Sequence, residues 1–198
     1  NEWIADIGAY DGDSVRDLVR LHNDAFAHVL ALEPDAKNFA KLQSSVAALP
    51  ENIRTKVDCR RMAAASHPGT LRFDAVGTAA SAVTTLEEPA DSMAFGGSVE
   101  VPADTIDRLL DGARPTFIKL DIEGSEPDAL EGARQTIERD APVIAVCVYH
   151  RQDHLWRIPL MLKRWRNDYV FFLRPHNEEG WDLVCYAVPR ARLIGGVR

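Results

Sequence analysis

The sequence predicts an α/β protein with a mainly parallel β-sheet and helices on both of its faces. Three observations carry that reading. Short β-type runs alternate along the chain with stretches of helical apolar spacing. The first run, Trp3 to Gly8, ends in a glycine turn that leads into a helix. The chain also closes on two β-type runs joined by a short polar loop, which adds an antiparallel pair at one edge of the sheet.

The elements follow in order. Asp13 and Ser14 cap a first helix whose apolar stripe is Val15, Leu18, Val19 and Leu21. His28 to Glu33 is a second strand, and Pro34-Asp35 opens a helix through Leu49 with Phe39, Leu42, Val46 and Leu49 at helical spacing. Lys56 to Arg60 is a third strand. From about His67 to Val101 the rhythm breaks, with Gly69, Gly77, Gly96 and Gly97 among β-type pieces at Thr70–Val76 and Ser81–Leu86. This predicts a hairpin-like insertion with a mobile tip. Val99 to Val101 follows, then a short helix from about Asp104 to Leu110. Thr116 to Asp121 is a strand, Glu126 to Arg139 a helix with Pro127 in its first turn, and Val143 to Val148 a further buried strand. His154 to Arg166 reads as a helix disturbed by Pro159; Tyr169–Leu173 and Asp182–Val188 are the closing strands. No repeat or linker divides the chain, so residues 1–198 are expected to form a single domain with an insertion at about 67–101.

Composition narrows the functional classes. The chain has 198 residues, 46% of them hydrophobic and 27% charged, with a formal net charge of -7. No basic stripe is present, which argues against nucleic acid as the main partner. Cys59, Cys147 and Cys185 are far apart, lack CxxC spacing and fall within strand-like runs, so they read as small core residues of a protein from a reducing cytoplasm rather than a disulfide or zinc set. The longest apolar run, Ala141 to Tyr149, is too short to span a bilayer. No secretory leader is visible. A strand begins almost at Asn1, so the natural protein is expected to extend further upstream.

Four motifs carry candidate chemistry. In Asp6-Ile7-Gly8-Ala9-Tyr10-Asp11-Gly12 a strand ends in glycine before a helix, where α/β sheets bind ligands. Only Gly8 and Gly12 of a dinucleotide fingerprint are present, and Asp11 and Asp13 stand where pyrophosphate would lie. A nucleoside ligand bearing a sulfonium and an ammonium removes that conflict; a tight turn with capping Asp residues is the structural alternative. Second, Glu33 in Leu32-Glu33-Pro34-Asp35 has the spacing of a ribose-hydroxyl acceptor, although capping the helix at Pro34 would also account for it. Third, Ile118-Lys119-Leu120-Asp121-Ile122-Glu123-Gly124-Ser125-Glu126 crowds ionisable groups at a strand end, with Lys119 and Asp121 on one face. A Lys–carboxylate pair that ties down the loop is the alternative, and no ligand spacing supports a metal there. Fourth, His150 in Val148-Tyr149-His150-Arg151 follows a strand at the same edge, where a histidine suits general-base work. His22, His28, His67, His154 and His176 read as surface or capping residues, and Trp156, Trp165, Phe171, Phe172 and Trp181 as core and edge packing.

These pieces in this order resemble the FkbM family of S-adenosylmethionine-dependent methyltransferases. The resemblance runs from the Asp6–Gly12 loop through Thr105-Ile106-Asp107 and the Lys119–Glu126 string. It continues into Asp128-Ala129-Leu130-Glu131-Gly132-Ala133, with Tyr149-His150-Arg151, Asp153, Trp156, Ile158-Pro159 and Tyr186-Ala187-Val188 in the tail. It implies a Rossmann-like class I methyltransferase sheet of seven strands whose last strand is antiparallel. It also implies methylation of a hydroxyl on a sugar, glycan or secondary metabolite, with S-adenosyl-L-homocysteine as product. Cofactor contacts carry over to Asp6, Gly8 and Gly12 and to Glu33, with Ala9, Tyr10, Asp11 and Pro34 in the same turns, and Asp121 in the donor pocket. Family members usually carry an extra segment before the first strand, which this sequence does not show. Catalytic candidates are His150, Asp121, Glu123 and Lys119. Two other readings compete: a nicotinamide-dependent oxidoreductase on a similar sheet, and a catalytically silent methyltransferase-like module that binds a partner protein.

Overall fold

A computed structural model of the chain describes residues 2–22, 25–74, 83–84, 98–176 and 182–193. The parallel core starts with β1 (Glu2–Ile7), α1 (Asp13–His22), β2 (Phe26–Leu32), α2 (Ala36–Ala47), a short α3 (Glu51–Arg54) and β3 (Val57–Arg60). A second set of strands follows: β4 (Ala63–Ala64), β5 (Gly69–Asp74), β6 (Val83–Thr84) and β7 (Ser98–Asp104). The chain then returns through α4 (Ile106–Leu109), β8 (Phe117–Leu120), α5 (Glu126–Glu131), α6 (Arg134–Asp140), β9 (Val143–Cys147), α7 (His154–Trp165), β10 (Tyr169–Pro175) and β11 (Leu183–Pro189).

The main sheet has the order β10-β11-β9-β8-β1-β2-β3. β11 runs antiparallel to both β9 and β10, while the pairings along β9-β8-β1-β2-β3 are parallel. The antiparallel strand thus lies one place in from the edge. α7 carries the chain past one strand position before β10 begins, and β11 fills the gap. Strand alternation divides the core into two layers. Ile118, Leu120, Ile144 and Val146 pack with Leu130, Ile137, Ile158 and Leu162 of α5–α7, while Val29 and Ala31 pack with Val15, Leu42 and Val46 of α1 and α2. Strand-borne cysteines agree with the expectation: Cys147 and Cys185 are buried and Cys59 is half-buried, and all three are free.

Several elements depart from the sequence reading. The irregular region begins at Ala63 rather than His67 and runs to Asp104, and it forms a second sheet of order β4-β7-β5-β6. The expected tip lies outside the described residues. The second helix stops at Ala47 and α3 starts after Pro50. The helix expected over Glu126–Arg139 breaks at Gly132-Ala133 because its backbone hydrogen bonds are diverted. The Asp107 N–H donates to the Gly132 carbonyl at 2.9 Å. The Asp107 carboxylate then accepts from Gln135 N at 3.0 Å and Thr136 N at 2.8 Å, starting α6 afresh. A Cβ on Gly132 would lie 2.0 Å from the Ala65 carbonyl oxygen, so the residue after β4 and the C-cap of α5 meet at bare backbone. The Thr105-Ile106-Asp107 and Leu130-x-Gly132-Ala133 strings are therefore halves of one structural joint. Asp107→Ala is expected to lower stability by about 1–2 kcal/mol through lost capping, read as a shift of the urea unfolding midpoint.

α7 runs unbroken through Pro159, but Trp156 on its surface is 56% exposed rather than packed in a core or edge. His154, expected at the surface or as a cap, is fully buried. Among the described residues no helix is long and apolar enough to cross a membrane.

Candidate active site

The parallel strands β9, β8, β1 and β2 end side by side, and a cavity of about 280 Å³ spans their ends. Glu33 after β2, Gly8 and Tyr10 after β1, Asp121 and Glu123 after β8 and Tyr149 after β9 all line it. Pro34 and Lys119 line it as well; Asp6, Ala9, Asp11 and Gly12 do not.

The turn after β1 is shaped by close backbone approach. Gly8 has φ 85°, and a Cβ there would lie 1.9 Å from the Asp121 carbonyl oxygen. The turn therefore crosses directly over the chain leaving β8, a demand that comes from the protein itself. Gly8 N and Ala9 N donate to the Leu32 carbonyl at 3.0 and 2.9 Å, joining the turn to β2. Gly12 packs on Leu42 and Ser45, and Asp11 pairs with Arg16 at 3.0 Å on the outer side. Both residues shape the loop from behind.

Beneath the turn, Asp6 and Lys119 are register partners on β1 and β8. Lys119 Nζ donates to Asp6 Oδ1 at 3.0 Å and to the Gly8 carbonyl at 2.9 Å. Burial pushes the Asp6 carboxyl upward against the pull of Lys119. Burial opposes the Lys119 charge, but Asp6 and Asp121 hold its pKa above the ordinary lysine value. Lys119, expected among the catalytic candidates, locks this turn and also lines the cavity.

Glu33 is 5% exposed. Its Oε2 accepts from Tyr10 N at 2.9 Å and its Oε1 from Asp35 N at 2.9 Å. Asp35, by contrast, caps α2 by accepting from Lys37 N and Asn38 N at 2.8 and 2.9 Å. With the cap supplied by Asp35, Glu33 turns toward the cavity. Burial raises its pKa to about 7, against the lowering effect of the two backbone N–H groups.

On the opposite side of the cavity the acidic loop folds back through two left-handed residues, Glu123 at φ 54° and Gly124 at φ 104°. Asp121 Oδ1 and Glu123 Oε2 each lie 3.5 Å from His150 Nε2, and His150 Nδ1 lies 2.7 Å from Glu126 Oε1. The His150 side chain is only 5% exposed. Asp121, Glu123 and Glu126 of the third motif and His150 of the fourth are thus in one neighbourhood, with His150 behind Asp121 and Glu123 rather than in the cavity wall.

Sequence reasoning missed several lining residues: Asn38, Met62, Tyr149 and Asp182. Asp182 was accessible in principle, since the residue preceding an antiparallel strand lies at the same edge as the ends of its parallel neighbours. Tyr149, whose ring sits 4.1 Å from that of His150, was quoted without a role. Among the described residues no group of three or more His, Cys, Asp or Glu side chains is arranged to hold a metal ion.

A family model described as the methyltransferase FkbM domain matches residues 6–174. The chain belongs to the FkbM methyltransferase family. As an FkbM-family chain it is similar to the crystal structure of methyltransferase FkbM from Methylobacillus flagellatus KT, with 29% identity and a TM-score of 0.77. That alignment covers 94% of this chain and 43% of the other, so this chain spans less than half the length of its relative. A putative rRNA-methylase from Clostridium thermocellum shares the fold at a TM-score of 0.57 and 11% identity, over 95% of this chain and 86% of that one. No curated protein matches significantly. The nicotinamide-oxidoreductase reading shares the Rossmann-like sheet, so it is the FkbM family match that speaks against it.

Proposed function

We propose that this FkbM-family methyltransferase uses S-adenosylmethionine and methylates a hydroxyl group of a sugar, glycan or secondary metabolite. The observation that carries the donor assignment is the Glu33 carboxylate, held by Tyr10 N and Asp35 N at the end of β2 while facing the cavity. Two ribose hydroxyls can donate to its remaining lone pairs. The rest of the site fits the same group. Carboxylates of Asp13, Glu33, Asp121, Glu123 and Asp182 line the cavity, which suits a sulfonium and an ammonium and opposes a pyrophosphate.

When bound, S-adenosylmethionine supplies an electrophilic methyl group whose departure leaves a neutral thioether. The chain's own residues have two tasks. Gly8 and Tyr10 shape the wall against which the donor rests, and Asp121 faces it from the end of β8, so that acceptor and methyl are held in line. The acidic cluster of Asp121 and Glu123, backed by His150, takes the acceptor's hydroxyl proton.

Calorimetric titration with S-adenosylhomocysteine tests the reading. Micromolar binding is expected, with none for NAD; a wild-type chain that ignores adenosylhomocysteine overturns it. Glu33→Gln is expected to weaken binding about 10–100-fold, the loss of one or two charge-assisted hydrogen bonds. The pH dependence has a definite sign. Below about pH 7 Glu33 is largely protonated in the free protein, and a ribose that donates to the carboxylate must displace that proton. Affinity should therefore rise with pH toward 7 and level off above it, and Glu33→Gln should flatten that rise.

A further inference from the structure

His150 has carboxylates at both ring nitrogens. Glu126 Oε1 lies 2.7 Å from Nδ1, and Asp121 Oδ1 and Glu123 Oε2 lie 3.5 Å from Nε2. An ionised carboxylate only accepts hydrogen bonds, while a neutral imidazole offers one donor and one lone pair. Neither Nε2 contact is an aligned hydrogen bond, yet whichever tautomer formed, its lone pair would lie nearest carboxylate oxygen. Protonation at both nitrogens removes the conflict and places a cation among three anions in a nearly closed site.

The support behind the ring is unusually complete. Glu126 is fully buried in the first turn of α5, and its Oε1 also accepts from Ile122 N at 3.0 Å and Gly124 N at 3.4 Å. It thus fixes the left-handed turn that carries Glu123. The buried His154 closes the other side, with Nδ1 3.3 Å from Glu126 Oε2 but outside hydrogen-bond alignment. Burial alone would raise the Glu126 pKa, yet the two histidines and Ile122 N bring it down to about 2. Burial likewise opposes the His150 charge, but Glu126, Glu123 and Asp121 outweigh it and raise its pKa. The Tyr149 ring packs against the remaining face. Glu123 lines the cavity and its side chain is 25% exposed, while His150 at 5% is covered.

We propose that His150 is a fixed imidazolium that positions Glu123, that Glu126 and His154 hold it in place, and that Glu123 takes the acceptor's proton. The proton-transfer part rests on the methyl-transfer reading. In that step the acceptor O–H bond breaks and its proton goes to the Glu123 carboxylate. The oxygen's electron pair forms the new O–C bond, and the pair of the broken S–C bond stays on sulfur. His150 keeps its proton throughout and is a positioning residue.

The test uses the protein alone, by long-range proton–nitrogen correlation of labelled histidine and carbon detection of labelled glutamate carboxyls. His150 is expected to show both ring nitrogens protonated through neutral pH, above the range of an ordinary histidine. A neutral tautomer at neutral pH overturns the proposal. In Glu126→Gln the His150 midpoint should fall by about one pH unit or more. Glu126 also repels the Glu123 carboxylate directly, so Glu123 is read in His150→Gln, where its midpoint is expected to rise because the cation beside it is gone. A Glu123 midpoint that stays put in His150→Gln also overturns the proposal, and that variant serves alone should Glu126→Gln fail to fold. None of these signals depends on a bound donor. Loss of adenosylhomocysteine binding by the wild-type chain would sink the methyl-transfer reading and leave the imidazolium assignment standing.

Discussion

Gly8→Ala is expected to destabilise the fold by about 3 kcal/mol or more, a large share of a typical domain's total stability. Two penalties combine. The residue holds φ 85°, which an L side chain adopts at a cost of about 1 kcal/mol, and the new methyl would stand 1.9 Å from the Asp121 carbonyl oxygen. That oxygen belongs to backbone, so it cannot swing aside as a flexible side chain would. Gly112 supplies the control: its φ is 81° but a Cβ there meets nothing within 4 Å. Gly112→Ala should therefore carry only the conformational penalty, about 1 kcal/mol. Urea unfolding of the two variants side by side separates the effects. If they shifted the midpoint equally, close approach of β1 to β8 would not be what requires Gly8.

Lys119→Met is expected to cost about 3–5 kcal/mol, because it strands the Asp6 carboxylate without its counter-ion. Asp6 is 1% exposed and its Oδ2 already lacks a partner among the described residues. The loss should depend on pH. Without Lys119 the Asp6 pKa rises further above its unfolded value. A carboxyl whose folded pKa is raised contributes stability below the unfolded value and loses it as pH rises through the folded one. The variant should therefore be closest to wild type at acid pH and fall away toward neutrality. Adding Asp6→Asn should restore most of the loss and remove the pH dependence. A Lys119→Met protein as stable as wild type from acid to neutral pH would show that the pair does not hold the turn.

Much of this architecture was legible in the residues themselves. β8 is a short β-type run whose alternate residues Ile118 and Leu120 are buried and whose Lys119 points to the other face, as period-two reasoning expects. The place of Glu33 at the cavity was legible from its spacing after the glycine turn, while the capping of α2 by Asp35 rather than Glu33 needed the structure. What could not be read depends on residues distant in sequence. The break at Gly132 follows from Asp107 capping Gln135 from 28 positions away, which no local propensity records. His154 sits in the first turn of a helix, an ordinary place for an exposed histidine, and is buried because Glu126 faces it across α5 and α7. His150 was placed at the right edge of the sheet, but whether it opens into the cavity depends on how far Glu123 folds back over β8. That in turn rests on two left-handed residues whose conformation Glu126 enforces.

The second sheet has a mechanical consequence. Ala63 and Ala64 form part of the cavity wall and pair with Ala103 and Asp104 at the root of the insertion. From that root β5 and β7 are zipped in unbroken register from Gly69↔Ala103 to Asp74↔Ser98. One side of the cavity is therefore braced by a ladder that shares no strand with the main sheet, so a load on that ladder reaches the wall without first disturbing β1 or β8.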